Sequence, residues 1–401
     1  MIERSTLRLN SSITRRAALA CGALALACGV ALGAVAPTAD PIKIGHYGSM
    51  TGSEATFGQS TDRGIRLAIE EINAKGGVNG RQLELITYDT KGDSGEAGKA
   101  VTRLISSDKV TAVLGEVASS LSLAGGAVCQ QYGIPMISPS STNPRVTVGR
   151  DFVFRVCFTD DFQAFALAKF VKENLKLNKV AILYDQKQAY SKGLRDEFTK
   201  AFNKMSGKIV IDQAYSGGDQ DFSAQLSAIA GAGAEILLVP GYYTDGAAIA
   251  IQARKKGIKI PMLGGDGWDS EQLGKIAGDA IVGSYYSNHS APDQPDMKDF
   301  VEKYRKKYDG QMPDALGGLG YDAANLLAHS MTKAKSLEGK DIRDAIAATT
   351  NFPGVTGNIS IDKNRNASKA AVIVQMAKNA KGEVAPKFVA SVAPEKEAPK
   401  K

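Results

Sequence analysis

Tryptophan occurs once in this chain, histidine three times and cysteine four times among 401 residues. His46, His289 and His329 and the cysteines form no metal-ligand spacing, so no metal site is expected. Excess charge of one sign is also scarce. The formal balance is +7, but Met1 to Ala39, with four Arg and one acid, carries +3 of it. The other residues hold 45 Lys and Arg against 41 Asp and Glu. That evenness argues against a nucleic-acid partner. A G-x-S-x-G elbow, a Walker loop and a G-x-G-x-x-G after a strand are all missing, so nothing argues for catalysis or a cofactor. Gly76-Gly77-Val78-Asn79-Gly80 is rich in glycine but follows a helix, the wrong context for phosphate. No helix-turn-helix or membrane-spanning signalling helix follows the leader, as a DNA-binding regulator or a receptor would need. What is present is 43% hydrophobic and 23% charged, the balance of a soluble globular protein long enough for two or three domains.

Residues 1–39 read as an export signal. Ser5 to Arg16 is basic and polar, Ala17 to Ala36 is apolar, and Ala34-Val35-Ala36 has the small-x-small form of a cleavage site. The apolar run is near the length of a membrane span, but its Ala and Gly content argues for cleavage rather than anchoring. Pro37 is awkward for a signal peptidase after Ala36, which makes Ala39 the alternative. Thr14-Arg15-Arg16-Ala17-Ala18-Leu19 is similar to a twin-arginine signal. Cys21 and Cys28 lie in the leader without a lipoprotein context. Cys129 and Cys157 would then face an oxidising compartment, as a disulfide or as two buried thiols.

Strand and helix patterns alternate along the rest. Ile42–Tyr47, Leu83–Tyr88 and Val110–Leu114 read as strands, with Ile65, Ile69 and Ile72 marking one intervening helix and Ala97 to Ile105 the next. The central stretch is Gly115 to Pro144. A polar loop ends in Ser119-Ser120, a helix carries Leu123 to Cys129, a strand runs Ile134 to Ile137, and a second polar loop spans Ser138 to Thr142. In a parallel sheet both loops fall at the carboxyl ends of strands, where open α/β folds bind ligands. Hydroxyls and helix-terminal N–H groups there suit a small carboxylate, although such a loop also serves as a cap or turn. A second alternation follows, with strands at Val180–Tyr184, Ile209–Tyr215, Ile236–Val239, Pro261–Gly264 and Ile281–Tyr286. Helices are expected over Asp296–Tyr308, Ala315–Lys333 and Lys340–Ala348, then strands at Val355–Ile361 and Ala371–Met376, and a disordered tail over residues 389–401. The fold class is α/β, with two doubly wound parallel-sheet lobes.

Several motifs add to this order of elements. They are Gly115-x-x-x-Ser119-Ser120, Ile137-Ser138-Pro139-x-x-Thr142-Asn143-Pro144, Asp221-Phe222-Ser223, Gly241-Tyr242-Tyr243 and Ala277-Gly278-Asp279-Ala280. Together they resemble the substrate-binding proteins of branched-chain amino acid ABC transporters, type I periplasmic binding proteins typified by the leucine/isoleucine/valine-binding protein. The resemblance covers Pro41 to Lys387 and implies three crossings between lobes, near Thr159–Asp161, Ser287–Ser290 and Asn358–Asn366. It divides the chain into lobe 1 (40–160 with 288–360) and lobe 2 (161–287 with 361–388).

Carried over residue by residue, the resemblance gives Ser119, the backbone around Ser140 and Ser141, and Thr142 to the ligand's α-carboxylate and ammonium. It gives Tyr190 and Tyr242 to aromatic walls, Asp266 to the ammonium, and Phe57 to the ligand side chain. The chain departs from the type example at Phe57 (a Trp there), at Asp266 (a Glu there), and at Gly92 and Ala118 (a disulfide there). The implied function is a periplasmic, hinge-closing, non-enzymatic component of an importer. Its partners would be an amino acid and the permease subunits in the inner membrane, with no nucleic acid, and it is expected to be a monomer. Leucine, isoleucine and valine lead as ligands. Other amino acids or small amides, an exported sensor domain, or an exported α/β enzyme are the alternatives.

Overall fold

The computed structural model describes residues 40–394. The export leader expected over residues 1–39, with Cys21 and Cys28, and tail residues 395–401 lie outside the described residues.

Five parallel strands build the first sheet: β1 (Ile42–Gly48), β2 (Leu83–Asp89), β3 (Ala112–Leu114), β4 (Met136–Ser138) and β5 (Val153–Arg155), in the order β2-β1-β3-β4-β5. Ile44 of β1 pairs with Leu85 on one side and Ala112 on the other. The inner strand β3 is buried at all three residues, which explains its unbroken apolar run. Helices Ala55–Ala74, Ser94–Ser106 and Ser119–Tyr132 connect the strands. The second helix is capped by the Asp93 carboxylate, which accepts from Glu96 N at 2.9 Å. The third ends at Gly133, whose φ of 66° is the left-handed geometry glycine supplies.

The second sheet holds β6 (Lys179–Asp185), β7 (Lys208–Tyr215), β8 (Ile236–Leu238), β9 (Met262–Gly264) and β10 (Tyr285–Asn288), all parallel. A small hairpin follows, β11 (Phe352–Gly354) with β12 (Gly357–Ile359). Then β13 (Ala371–Lys378) and β14 (Val384–Val392) extend the second sheet antiparallel, giving the order β14-β13-β10-β9-β8-β6-β7. Between β10 and β11 the chain returns to the first sheet, where helix Ala315–Lys333 packs along helix Ala55–Ala74.

Those two helices meet almost backbone to backbone. A Cβ on Gly64 would collide with the carbonyl of Gly317, and one on Gly320 would come 2.5 Å from the carbonyl of Thr61. Gly64→Ala is therefore expected to cost roughly 1–3 kcal/mol through overpacking. Chemical denaturation showing no shift of the unfolding midpoint would contradict this packing.

Several expected elements differ from those observed. The strand expected at Ile281–Tyr286 starts only at Tyr285, because residues Gly278–Ile281 form a 3₁₀ turn and Gly283 takes φ 83°. The segment expected as one strand over Val355–Ile361 belongs instead to the hairpin, turned at Gly357 with φ 108°. The strand expected to begin at Val110 begins at Ala112, since Val110 N closes the preceding helix on Leu104 O. Residues 389–392, expected in a disordered tail, complete β14. That strand is at the sheet edge and largely exposed, so its composition resembles a tail while its backbone is paired with β13.

Candidate functional site

In both sheets the strand order reverses beside the first strand, between β1 and β3 and between β6 and β8. Ligands of open α/β sheets bind outside the carboxyl ends of strands at such points. Ser49, Thr90, Glu116 and the Ser138–Thr142 loop follow β1, β2, β3 and β4. Opposite them, Asp185 and Tyr215 end β6 and β7, while Tyr242, Asp266 and His289 follow β8, β9 and β10.

The first-lobe loops are held by polar contacts among themselves. Glu116 accepts from Ser49 Oγ at 2.7 Å, Thr90 Oγ1 at 3.0 Å and Ala118 N at 2.9 Å. Its carbonyl accepts from the hydroxyls of Ser122, Ser138 and Ser141. In the Ser138–Thr142 loop Ser138 O accepts from Val156 N and Thr142 O from Asp160 N, and Arg155 serves carbonyls that the ladder leaves out. This fully buried guanidinium on β5 donates to Ser141 O at 2.6 Å, Asn143 O at 2.8 Å and Thr147 Oγ1 at 3.2 Å.

Of the expected site residues, Ser140 Oγ and Thr142 Oγ1 are buried without any hydrogen-bond partner. Ser119 begins its helix with no side-chain cap, and its Oγ accepts only a long bond from Asn143 N at 3.3 Å. Ser141 differs. Its Oγ is bound to Glu116 O, Val117 O and Ser122, and its N–H donates to Ser138 Oγ, so it holds the loop in shape.

On the second lobe Asp266 is 5% exposed. Its Oδ1 accepts from Gln163 Nε2 at 2.7 Å, and its Oδ2 lies 3.0 Å from His289 Nε2. Burial lowers the His289 pKa against the pull of Asp266, so the ring is neutral with its proton on Nε2. Tyr190 Oη accepts from Gly267 N at 3.1 Å, and the Tyr190 and Tyr242 rings stack at 5.5 Å. Tyr242 Oη is buried and unpartnered. Phe57, from the first lobe, meets Tyr242 and Tyr243 edge-on at 5.4 and 5.3 Å.

The expected residues thus converge from both lobes, and the lobes are closed upon them. Ala189 N donates to Ser120 Oγ at 3.0 Å, Asn143 Nδ2 to Ala189 O at 2.8 Å, Tyr243 Oη to Ser53 O at 2.8 Å and Ala315 N to Asp269 Oδ2 at 2.8 Å. Gly193 permits this approach, since a Cβ there would strike Asn143 Nδ2 and come 2.8 Å from Asp160 Oδ2. Two hollows of about 310 and 510 Å³ flank the β11–β12 hairpin, and the first reaches His289.

Sequence reasoning passed over several members. Asp160 has both carboxylate oxygens buried and unpartnered, and burial raises its pKa well above the usual range. The sequence reading places it only in the crossing near Thr159–Asp161. Glu54 is 8% exposed, and burial, then the charge of Glu116, pushes its carboxyl up to about 7. Arg155 carried a signal, a lone charge inside the apolar run Phe152 to Phe158. Gln163 and His289 carried none. His46 lies on β1, where its Nδ1–H donates to Leu114 O at 3.0 Å. Cys129 and Cys157 are buried free thiols, and burial pushes both pKa values up.

Residues 41–382 match the family model described as periplasmic binding protein. The chain belongs to the periplasmic binding protein family. It is 32% identical over 357 residues to the Leu/Ile/Val-binding protein homolog 2 of Brucella abortus, covering 87% of this chain and 95% of that one. Among solved structures it is similar to a leucine-binding protein, LivK, of Thermotoga maritima. That chain is 39% identical with a TM-score of 0.83, and the match covers 88% of this chain and 99% of that one. LivJ of Streptococcus pneumoniae, solved with isoleucine, is 34% identical with a TM-score of 0.81 over 87% of this chain and 99% of its own. Members of this family are binding proteins, and the two sheets described above are their type I architecture.

Proposed function

We propose that this protein is the exported solute-binding component of an ABC importer, and that it captures an α-amino acid between its lobes for delivery to the membrane permease. The observation that carries the reading is the pairing of two unlike polar ends across one closed cleft. Unpartnered hydroxyls at Ser140 and Thr142, beside the N-terminus of helix Ser119–Tyr132, suit a carboxylate. Asp266, braced by Gln163 and His289, suits an ammonium, and Asp160 offers a second unpartnered carboxylate nearby. A zwitterion taken from water needs both charges met. Tyr190 and Tyr242 wall the space between. Relatives named for leucine, isoleucine and valine support an amino acid as the cargo.

Because the ligand would touch both lobes, it must favour the closed state over the open one. Titration with single amino acids is expected to give saturable heat, a raised melting temperature and a smaller radius of gyration in solution scattering. Trp268, two residues from Asp266 and fully buried, should report the same event by fluorescence. An amino acid that is chemically altered on incubation would turn the reading toward an enzyme. Failure of all twenty to bind would remove it.

A further inference from the structure

Helix Ala315–Lys333 packs on the first lobe, yet carboxylates from both lobes close its N-terminus. Asp314, its own N-cap, accepts from Gly317 N at 2.9 Å and from Ser60 Oγ. Asp269 of the second lobe accepts from Ala315 N at 2.8 Å and from Tyr286 Oη at 3.2 Å. Ala315 N and Gly317 N belong to one turn of the helix, so the two carboxylates stand side by side. Asp269 is also tied to the proposed ammonium site. It follows the 3₁₀ turn that begins at Asp266, and its N–H donates to Asp266 O at 3.0 Å. Next to it Ser270 Oγ meets Thr56 Oγ1 of the first lobe at 3.0 Å. This is a contact between lobes, made beside the ligand site and not on the ligand.

Asp269 is buried and Asp314 half-buried, and the donors to both are neutral. The other titratable groups facing the pair are Tyr286, Tyr304 and Glu271. Arg63 lies against Tyr304 but donates to Gln311 Oε1 at 2.6 Å. A helix N-terminus carries roughly half a positive charge, which cannot answer two negative ones. One of the two carboxylates therefore gains from holding a proton when the lobes are shut. Burial, and for Asp269 then the charge of Asp314, raises both carboxyls above their ordinary range.

We propose that Asp269 is a positioning residue that latches the closed state, and that it takes up a proton as the lobes close, so the protein holds its ligand more tightly at low pH than at high. The inference rests on the reading that the lobes close around an amino acid and open without it. In the open state Asp269 leaves Ala315 and Asp314 and titrates as an ordinary carboxyl, near about 4. Closure raises it, so the protonated form favours the closed state. That contribution to affinity is complete below the open-state value and is lost as pH rises toward the closed-state one.

The test is calorimetry of the full protein with leucine, or with the tightest binder of the twenty if leucine gives no heat. Wild-type affinity should fall at least about tenfold between roughly pH 5.5 and pH 7.5. Buffers of different ionisation heat should show about one proton taken up per ligand bound in that range. Asp269→Asn keeps an acceptor for Ala315 N without the charge, so it should hold the low-pH affinity at both pH values and lose the uptake. Asp314→Asn, still a good cap, should do the same by removing the neighbouring charge. Asp269→Ala removes the bond itself and should bind more weakly than Asp269→Asn at both. Uptake and pH dependence that persist undiminished in Asp269→Asn would belong to other buried carboxyls, such as Glu54 or Asp160. That result would overturn the inference and leave the amino-acid reading standing, as would a wild-type affinity that does not change with pH. Absence of binding by any amino acid would overturn both.

Discussion

Asp266→Ala is expected to weaken amino-acid binding by at least about 2 kcal/mol, roughly thirtyfold, because the ligand's ammonium would be buried without its carboxylate. The substitution also releases Gln163 Nε2 and the His289 ring from their shared acceptor, so part of the loss could come from slackened geometry. Asp266→Asn separates the two effects. Its carbonyl oxygen still accepts from Gln163, while the negative charge is gone. If charge is the essential feature, the asparagine variant melts close to the wild type but binds nearly as poorly as the alanine variant. Calorimetry giving wild-type affinity for Asp266→Ala would remove this residue from the site.

The fold was legible wherever period and composition agreed. Ile42 and Ile44 on β1, the apolar β3 and the stripe at Ile65, Ile69 and Ile72 each face one core, and burial of that core is what their spacing encodes. Legibility failed where pairing rather than burial decides. β14 exposes most of its side chains, and only its backbone bonds to β13 make it a strand. The candidate site divided in a similar way. Ser119, Thr142 and Tyr242 lie in short motifs, and a motif keeps neighbours in sequence near one another. Asp160, Gln163 and His289 owe their placement to packing of distant segments on the second sheet, and Glu54 to the loop after β1. Gln163 and Asp266 are 103 positions apart, yet they share a hydrogen bond. No local pattern encodes such a pair.

Arg155→Met is expected to lower stability by about 1–3 kcal/mol, the cost of leaving buried acceptors without their donor. The arginine is fully buried and lies on the edge strand of the first sheet. Its donors hold Ser141 O, Asn143 O and Thr147 Oγ1; Asn143 O also accepts from Val146 N at 3.0 Å, and Ser141 O otherwise has only Cys157 Sγ at 3.6 Å. Methionine fills much of the same volume, so the loss would reflect orphaned carbonyls more than a cavity. Arg155→Lys should fall between, since an ammonium keeps the charge but lacks the planar fork that reaches several acceptors at once. The loop in question also carries Ser140 and Thr142. Both variants should therefore bind ligand more weakly than their remaining stability alone would suggest, because carboxylate recognition depends on hydroxyls held in place before the ligand arrives. Urea unfolding gives the first quantity, and calorimetry well below the melting temperature gives the second. An Arg155→Met protein within about 1 kcal/mol of wild type would show that the loop satisfies its carbonyls another way. Full stability loss with undiminished affinity would show that Arg155 supports the sheet edge and leaves the ligand loop alone.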